Sequence, residues 1–197
     1  MEKERFADPG THLQELATHF VVHCPRCQGK ALVGTDERLT CTACFYVEKP
    51  GKWYGAMTAY VSVKCRECHA PIRRTETTDG QWQKIDTTCP ACGDTCAYEA
   101  TMSKHPMHNG LVTDRVFGLP LWLQKSFRDE LFWAYNYEHL DMLRQYISAK
   151  LRERGIGPRS TQSKNSGMIS RLPTFIKKAA NREALLKLVD QLATKES

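Results

Sequence analysis

The chain has 197 residues and no long apolar run. No stretch reaches the roughly 18 residues that a membrane-spanning helix requires, so no membrane partner is expected. Met1-Glu2-Lys3-Glu4-Arg5 leads into further polar residues rather than the apolar centre of a secretory signal, and the expected location is cytoplasmic. Short enzyme signatures are also missing. There is no G-x-x-x-x-G-K-S/T phosphate loop, no H-E-x-x-H pair and no G-x-S-x-G turn, and the chain reads as a protein that is not an enzyme. Acidic residues are scarce in one place: between residues 150 and 182 the only one is Glu153.

What is present is ordinary globular material, 41% hydrophobic and 25% charged, which excludes a disordered chain. Nine cysteines stand out. Eight fall into two quartets, Cys24, Cys27, Cys41, Cys44 and Cys65, Cys68, Cys89, Cys92, each a pair of C-x-x-C knuckles separated by enough chain for a hairpin. Such a turn aims two thiolates at one point, and a second turn completes a tetrahedron around Zn²⁺ at about 2.3 Å from each sulfur. Two structural Zn²⁺ are expected. The competing reading, a disulfide framework, needs an oxidising compartment. Cys96 is left over, either a buried inert thiol or an alternative ligand three residues past Cys92.

In chain order, residues 1–20 form an N-terminal arm in which Leu13, Leu16, Ala17 and Phe20 suit one face of a short helix, with Thr11 as its cap. Residues 21–63 hold the first ribbon, with a loop at Gly34-Thr35-Asp36-Glu37, and a connector. In that connector Trp53 and Tyr54 either cover the small core or offer a stacking surface. Residues 64–104 hold the second ribbon. There Asp79-Gly80 predicts a tight hairpin between 73–78 and 81–86, with Trp82 and Ile85 among its few large apolar side chains. His105 and His108 read as loop histidines rather than ligands.

Residues 105–197 read as a helical domain. Leu119 to Leu123 is too apolar to stay exposed. Asp129 to Tyr135 predicts a short helix, and Asn136 caps the next, where Leu140, Leu143, Ile147 and Leu151 recur at helical spacing as far as Gly155. Residues 155–171 read as a basic loop. Pro173 opens a further helix with Phe175 and Ile176, and Asn181 caps a last one bearing Leu185, Leu188, Val189 and Leu192. The expected fold class is α+β: two small antiparallel ribbons, then a small α-helical domain.

The knuckles Cys24-Pro25-Arg26-Cys27 and Cys89-Pro90-Ala91-Cys92-Gly93, with their two partners, resemble zinc ribbons of the transcription factor IIB kind, also found in ribosomal and small prokaryotic proteins. The likeness covers residues 21–100. It implies a fold and a metal, and no single activity. Cys41-Thr42-Ala43-Cys44-Phe45 and Cys65-Arg66-Glu67-Cys68-His69 depart from it, lacking glycine after the knuckle.

Charge suggests a partner. Residues 150–182 carry nine basic residues against one acid, a local +8, so the rest of the +6 chain sums to −2. Arg152, Arg154, Arg159, Lys164, Arg171, Lys177, Lys178 and Arg182 are the expected contacts to DNA or RNA, with Lys64, Arg66, Arg73 and Arg74 of the ribbon in support. The alternative is a protein-docking adaptor that uses ribbon edges and the aromatic stretch Phe127, Phe132, Trp133, Tyr135 and Tyr137.

Overall fold

A C-x-x-C knuckle reverses the chain and delivers the strands on either side to each other antiparallel. The computed structural model describes residues 5–80, 84–153 and 167–195, with 151–153 described by backbone alone. The chain divides into two compact units, Met1–Pro50 with Leu121–Ser197, and Gly51–Pro120. The first ribbon therefore groups with the C-terminal segment.

In the first unit, strands Phe20–His23, Lys30–Val33, Leu39–Cys41 and Val47–Glu48 form one antiparallel sheet in sequence order. Its outer turns are the two knuckles. Its middle turn is the expected loop, in which Gly34 N donates to Arg38 O at 2.9 Å. Strand Phe20–His23 is buried on both faces because it is also part of the helical core. Val21 N donates to Tyr135 O, and Trp122 N donates to Val21 O, both at 2.8 Å. Around them pack Leu123, Phe132, Leu143, Ile147, Leu185 and Val189, all nearly or wholly inaccessible. The short N-terminal helix Leu13–Leu16 forms, but its cap position is His12, without a side-chain bond, rather than Thr11.

The C-terminal segment is less helical than expected. Residues 129–135 are not a helix. Strands Gln124–Phe127 and Glu130–Trp133 make a hairpin whose turn includes Arg128 at φ 55°. The register, Phe127 opposite Glu130 and Lys125 opposite Phe132, places the two buried phenylalanines, five residues apart, on one face of the hairpin. In a helix that separation rotates them about 140° from one another, off any common face. Asn136 does cap helix Tyr137–Ser148. Its Oδ1 accepts from His139 N at 2.8 Å, and its Nδ2 donates to Leu16 O at 2.7 Å. That helix stops at Ser148, well before Gly155. Ala149 turns extended, and strand Leu151–Glu153 pairs parallel with Arg5–Ala7. Helix Arg182–Ala193 buries Leu185, Leu188, Val189 and Leu192 as expected. Asn181 does not cap it through its side chain; its amide instead donates to Phe175 O at 2.9 Å.

His139 is 2% exposed, and burial pulls its pKa down from 6.5 to about 4. Its neutral form is the native one, so the unfolded chain binds the extra proton between those values. Stability is present above pH 6.5 and is lost as pH falls toward 4, by about 3 kcal/mol from this residue. Thermal melts across that range should show the loss, and His139→Gln should flatten this part of the profile. An unchanged profile in the variant would place the acid sensitivity elsewhere.

The second unit is all strand among its described residues. Strand Met57–Lys64 pairs with Pro71–Thr78 across the third knuckle and with Thr101–Lys104 on its other side. Strand Lys84–Thr88 pairs with Thr95–Glu99 across the fourth knuckle. Among the described residues, the pairing predicted around Asp79-Gly80 does not form; residues 81–83 of its return strand lie outside them. Strands on both sides of it exist, but each pairs outward across a knuckle, leaving Asp79-Gly80 as a link between hairpins. Trp82 lies outside the described residues. Ala59, Val61, Ile72, Ile85 and Tyr98 form this unit's core. Trp53 packs rather than projects: its Nε1 donates to Ala56 O at 3.0 Å, and a Cβ on Gly118 would lie 2.7 Å from its ring.

Residues 114–119 close on one buried carboxylate. Asp114 is 1% exposed and accepts from Val116 N, Phe117 N and Leu119 N at 2.7–2.8 Å. Burial pushes its carboxyl above the ordinary range, against the downward pull of the three N–H groups.

Candidate metal centres

The sequence local to each cysteine pair repeats one backbone pattern. In three knuckles the N–H of the residue after the second cysteine returns to the first cysteine's carbonyl: Gln28 to Cys24 at 2.9 Å, His69 to Cys65 at 3.1 Å and Gly93 to Cys89 at 3.0 Å. One residue later the chain closes again, where the first cysteine's N–H donates to Gly29, Tyr46, Ala70 and Asp94 carbonyls in the four knuckles. This tight return requires a left-handed residue, with φ 62° at Gln28, 57° at Phe45, 57° at His69 and 78° at Gly93. Only one is glycine. The missing glycine at His69 leaves the return bond in place, and Phe45 adopts the same left-handed backbone, each at a cost in strain.

The two hairpin ends of each ribbon bring four sulfurs together. In the first, Cys24 and Cys44 Sγ lie 3.7 Å apart and Cys27 and Cys41 Sγ 3.6 Å. In the second, Cys65 and Cys92 lie 3.7 Å apart and Cys68 and Cys89 3.6 Å. Within each quartet all four sulfurs lie within 4.8 Å of one another. A regular tetrahedron with metal–sulfur bonds of about 2.3 Å has edges of about 3.8 Å. Each quartet therefore has the size to hold one metal ion, and the pair is compatible with zinc ribbons. All nine cysteines are free thiols, and Cys96 sits on strand Thr95–Glu99 outside the quartet, facing Thr87 in the register.

Electrostatics favour a cation at the centre. Backbone N–H groups of Cys92 and Ala91 point at Cys89 and draw its pKa down to about 7. Burial raises Cys41, but the N–H groups of Cys44 and Ala43 outweigh it, and it also falls to about 7. Cys44 accepts from Tyr46 N, yet burial and its three neighbouring sulfurs push it up to about 12. Cys92 accepts from Asp94 N but is pushed up to about 12 by Cys68, burial, Cys89 and Cys65. Without a central positive charge the later protons of each quartet stay on; a bound metal replaces them. A four-sulfur shell leaves no open coordination position, which suits a structural ion.

The basic residues behave differently from one another. Arg154, Arg159, Lys164 and the Arg152 side chain lie outside the described residues. Arg171 and Lys178 are exposed. Lys177 Nζ donates to Ser170 O at 2.8 Å. Arg182 is a structural group: its Nε donates to Ile147 O and its NH2 to Ala149 O, both at 3.0 Å, capping the end of helix Tyr137–Ser148. In the second ribbon Arg74 pairs with Glu76 at 2.7 Å, and Arg66 lies over the Tyr98 ring at 5.4 Å. Of the aromatic stretch, Phe127 and Phe132 are core, Trp133 and Tyr135 are half-buried, and Tyr137 is exposed. His108 faces Asp79 at 3.5 Å, and neither it nor His105 joins a metal group among the described residues. No described helix is long and apolar enough to cross a membrane. Comparison with protein-family models, characterised proteins and solved structures finds no match to this chain.

Proposed function

We propose that this is a non-catalytic protein built on two structural Zn²⁺ sites that associates with nucleic acid through its basic C-terminal segment. The zinc assignment rests on the four-sulfur shells at tetrahedral spacing. The observation that supports the partner is the concentration of charge: +8 within residues 150–182 in a chain whose remainder is −2. Cations gathered in one segment neutralise adjacent phosphates and release their counterions, a gain that scattered charges do not provide.

The reading has a quantitative signature. If four to six side chains contact duplex DNA, log affinity falls against log salt with a slope of about −4 to −5. Replacing Arg159, Lys164 and Arg171 together with alanine should make the slope shallower by up to about 3. Arg182→Ala belongs to a different class: it strips two carbonyls at a helix end of their donor and should lower the melting temperature. Fluorescence anisotropy across about 50–200 mM salt measures the slopes. No binding to DNA or RNA at about 50 mM salt, with two metals bound, would remove this reading in favour of protein docking.

A further inference from the structure

Phe45 is the most exposed large apolar residue described, at 85%, well ahead of Val47 at 52%. It occupies the left-handed position after the fourth cysteine of the first quartet, with φ 57°. The equivalent positions of the other knuckles hold Gln28, His69 and Gly93, which are polar or side-chain-free. A phenylalanine there combines backbone strain with an apolar ring in water, and burial returns nothing for either. The adjacent ring, Tyr46, is covered by a cation of this chain, Arg26, at 5.9 Å from its centroid. The Phe45 ring stands open. The two knuckles around it, residues 24–30 and 41–47, carry Arg26 and Lys30, and the nearest acid in sequence, Glu48, accepts a hydrogen bond from the Tyr46 hydroxyl.

We propose that Phe45 is a stacking platform for an unpaired base of single-stranded nucleic acid, with Arg26 and Lys30 at the same ribbon end attracting the flanking phosphates. The inference rests on the nucleic-acid reading above and adds to it a site and a strand preference. An open π-face beside positive charge is what sequence-tolerant binding of single strands uses. A paired base offers no free face, so duplex should gain nothing from this ring.

The substitution that tests it removes the strain along with the ring. Phe45→Gly suits a φ of 57°, so the zinc-loaded variant should melt no lower than the parent, and lost binding cannot be ascribed to unfolding. Anisotropy with fluorescein-labelled oligothymidine and with a duplex of equal length, at about 50 mM salt, gives the readout. Phe45→Gly should weaken the single strand about tenfold or more and leave the duplex unchanged, and Phe45→Trp should retain single-strand binding. Equal losses on both nucleic acids would overturn stacking. Unchanged binding to both would overturn it as well, leaving the basic-segment reading standing and the ring free as a protein anchor. Failure of the parent protein to bind either nucleic acid would remove both proposals together.

Discussion

Cys24→Ser is expected to abolish most of the helical circular dichroism of this protein, while Cys65→Ser leaves it largely intact. Every described helix belongs to the first unit, whereas the second is all strand. The first quartet ties together the two outer turns of the sheet that contains Val21, and Val21 is packed and hydrogen-bonded among Trp122, Tyr135 and the helices. Structural zinc in isolated fingers contributes roughly 10–16 kcal/mol of apparent folding free energy. That is as large as the whole stability of a typical domain, about 5–15 kcal/mol. Losing the first ion should therefore release the sheet and the core built on it. The second quartet adjoins a separate apolar cluster around Val61, Ile72 and Ile85, which an ion there would stabilise. Elemental analysis should find about two zinc ions per chain in the parent and about one in each variant, as four thiolates hold each ion. Cys96→Ser should keep both. A metal ratio near zero would refute the zinc assignment, and loss of helix in Cys65→Ser would refute the separation of the cores.

The second large effect is expected at Asp114. Its carboxylate is the acceptor for three buried N–H groups, and alanine offers none of them a partner. Each orphaned buried donor costs about 1–3 kcal/mol, so Asp114→Ala should destabilise the second unit by several kcal/mol. Asp114→Asn should cost less, because one oxygen remains to serve Val116 and Phe117, while the new amide meets Leu119 N donor to donor. Denaturant melts should rank the parent above asparagine and asparagine above alanine. If alanine and asparagine melt alike, the third hydrogen bond carries the effect. If both melt like the parent, the carboxylate does not organise residues 114–119.

The two four-cysteine groups were legible in the sequence because a C-x-x-C turn is local chemistry: its spacing decides where the sulfurs point. The Gly34–Glu37 loop, the Asn136 cap and the stripe of the last helix were legible for the same reason. Three features were not. The Asp79-Gly80 turn carried a strong local signal, but pairing across the knuckles overrode it, because each knuckle already joins two strands at a closed end. The hairpin 124–133 hid in an aromatic run whose composition suits helix or strand equally; the five-residue separation of Phe127 and Phe132 was the available clue. Asp114 left only a faint trace, an acid four residues before Gly118, and its role depends on where the next five residues fold. The open ring of Phe45 was visible only as a missing glycine, and its exposure emerged from the three-dimensional structure.

The parallel pairing of Arg5–Ala7 with Leu151–Glu153 has a consequence for the chain's birth. The first unit is built from two segments, with the whole of Gly51–Pro120 between them. On a ribosome adding about 5–20 residues per second, those seventy residues alone take roughly 3–14 s. For that interval the first ribbon is synthesised and lacks Trp122, Phe132 and both long helices. The second unit can complete itself meanwhile, from contacts closer in sequence and therefore faster to close. The first knuckles must either hold an ion while their core is still being translated or wait as four reduced thiols. If each quartet holds a metal ion, the supply of that ion during synthesis bears on the yield of folded chains as well as on the stability of the finished protein.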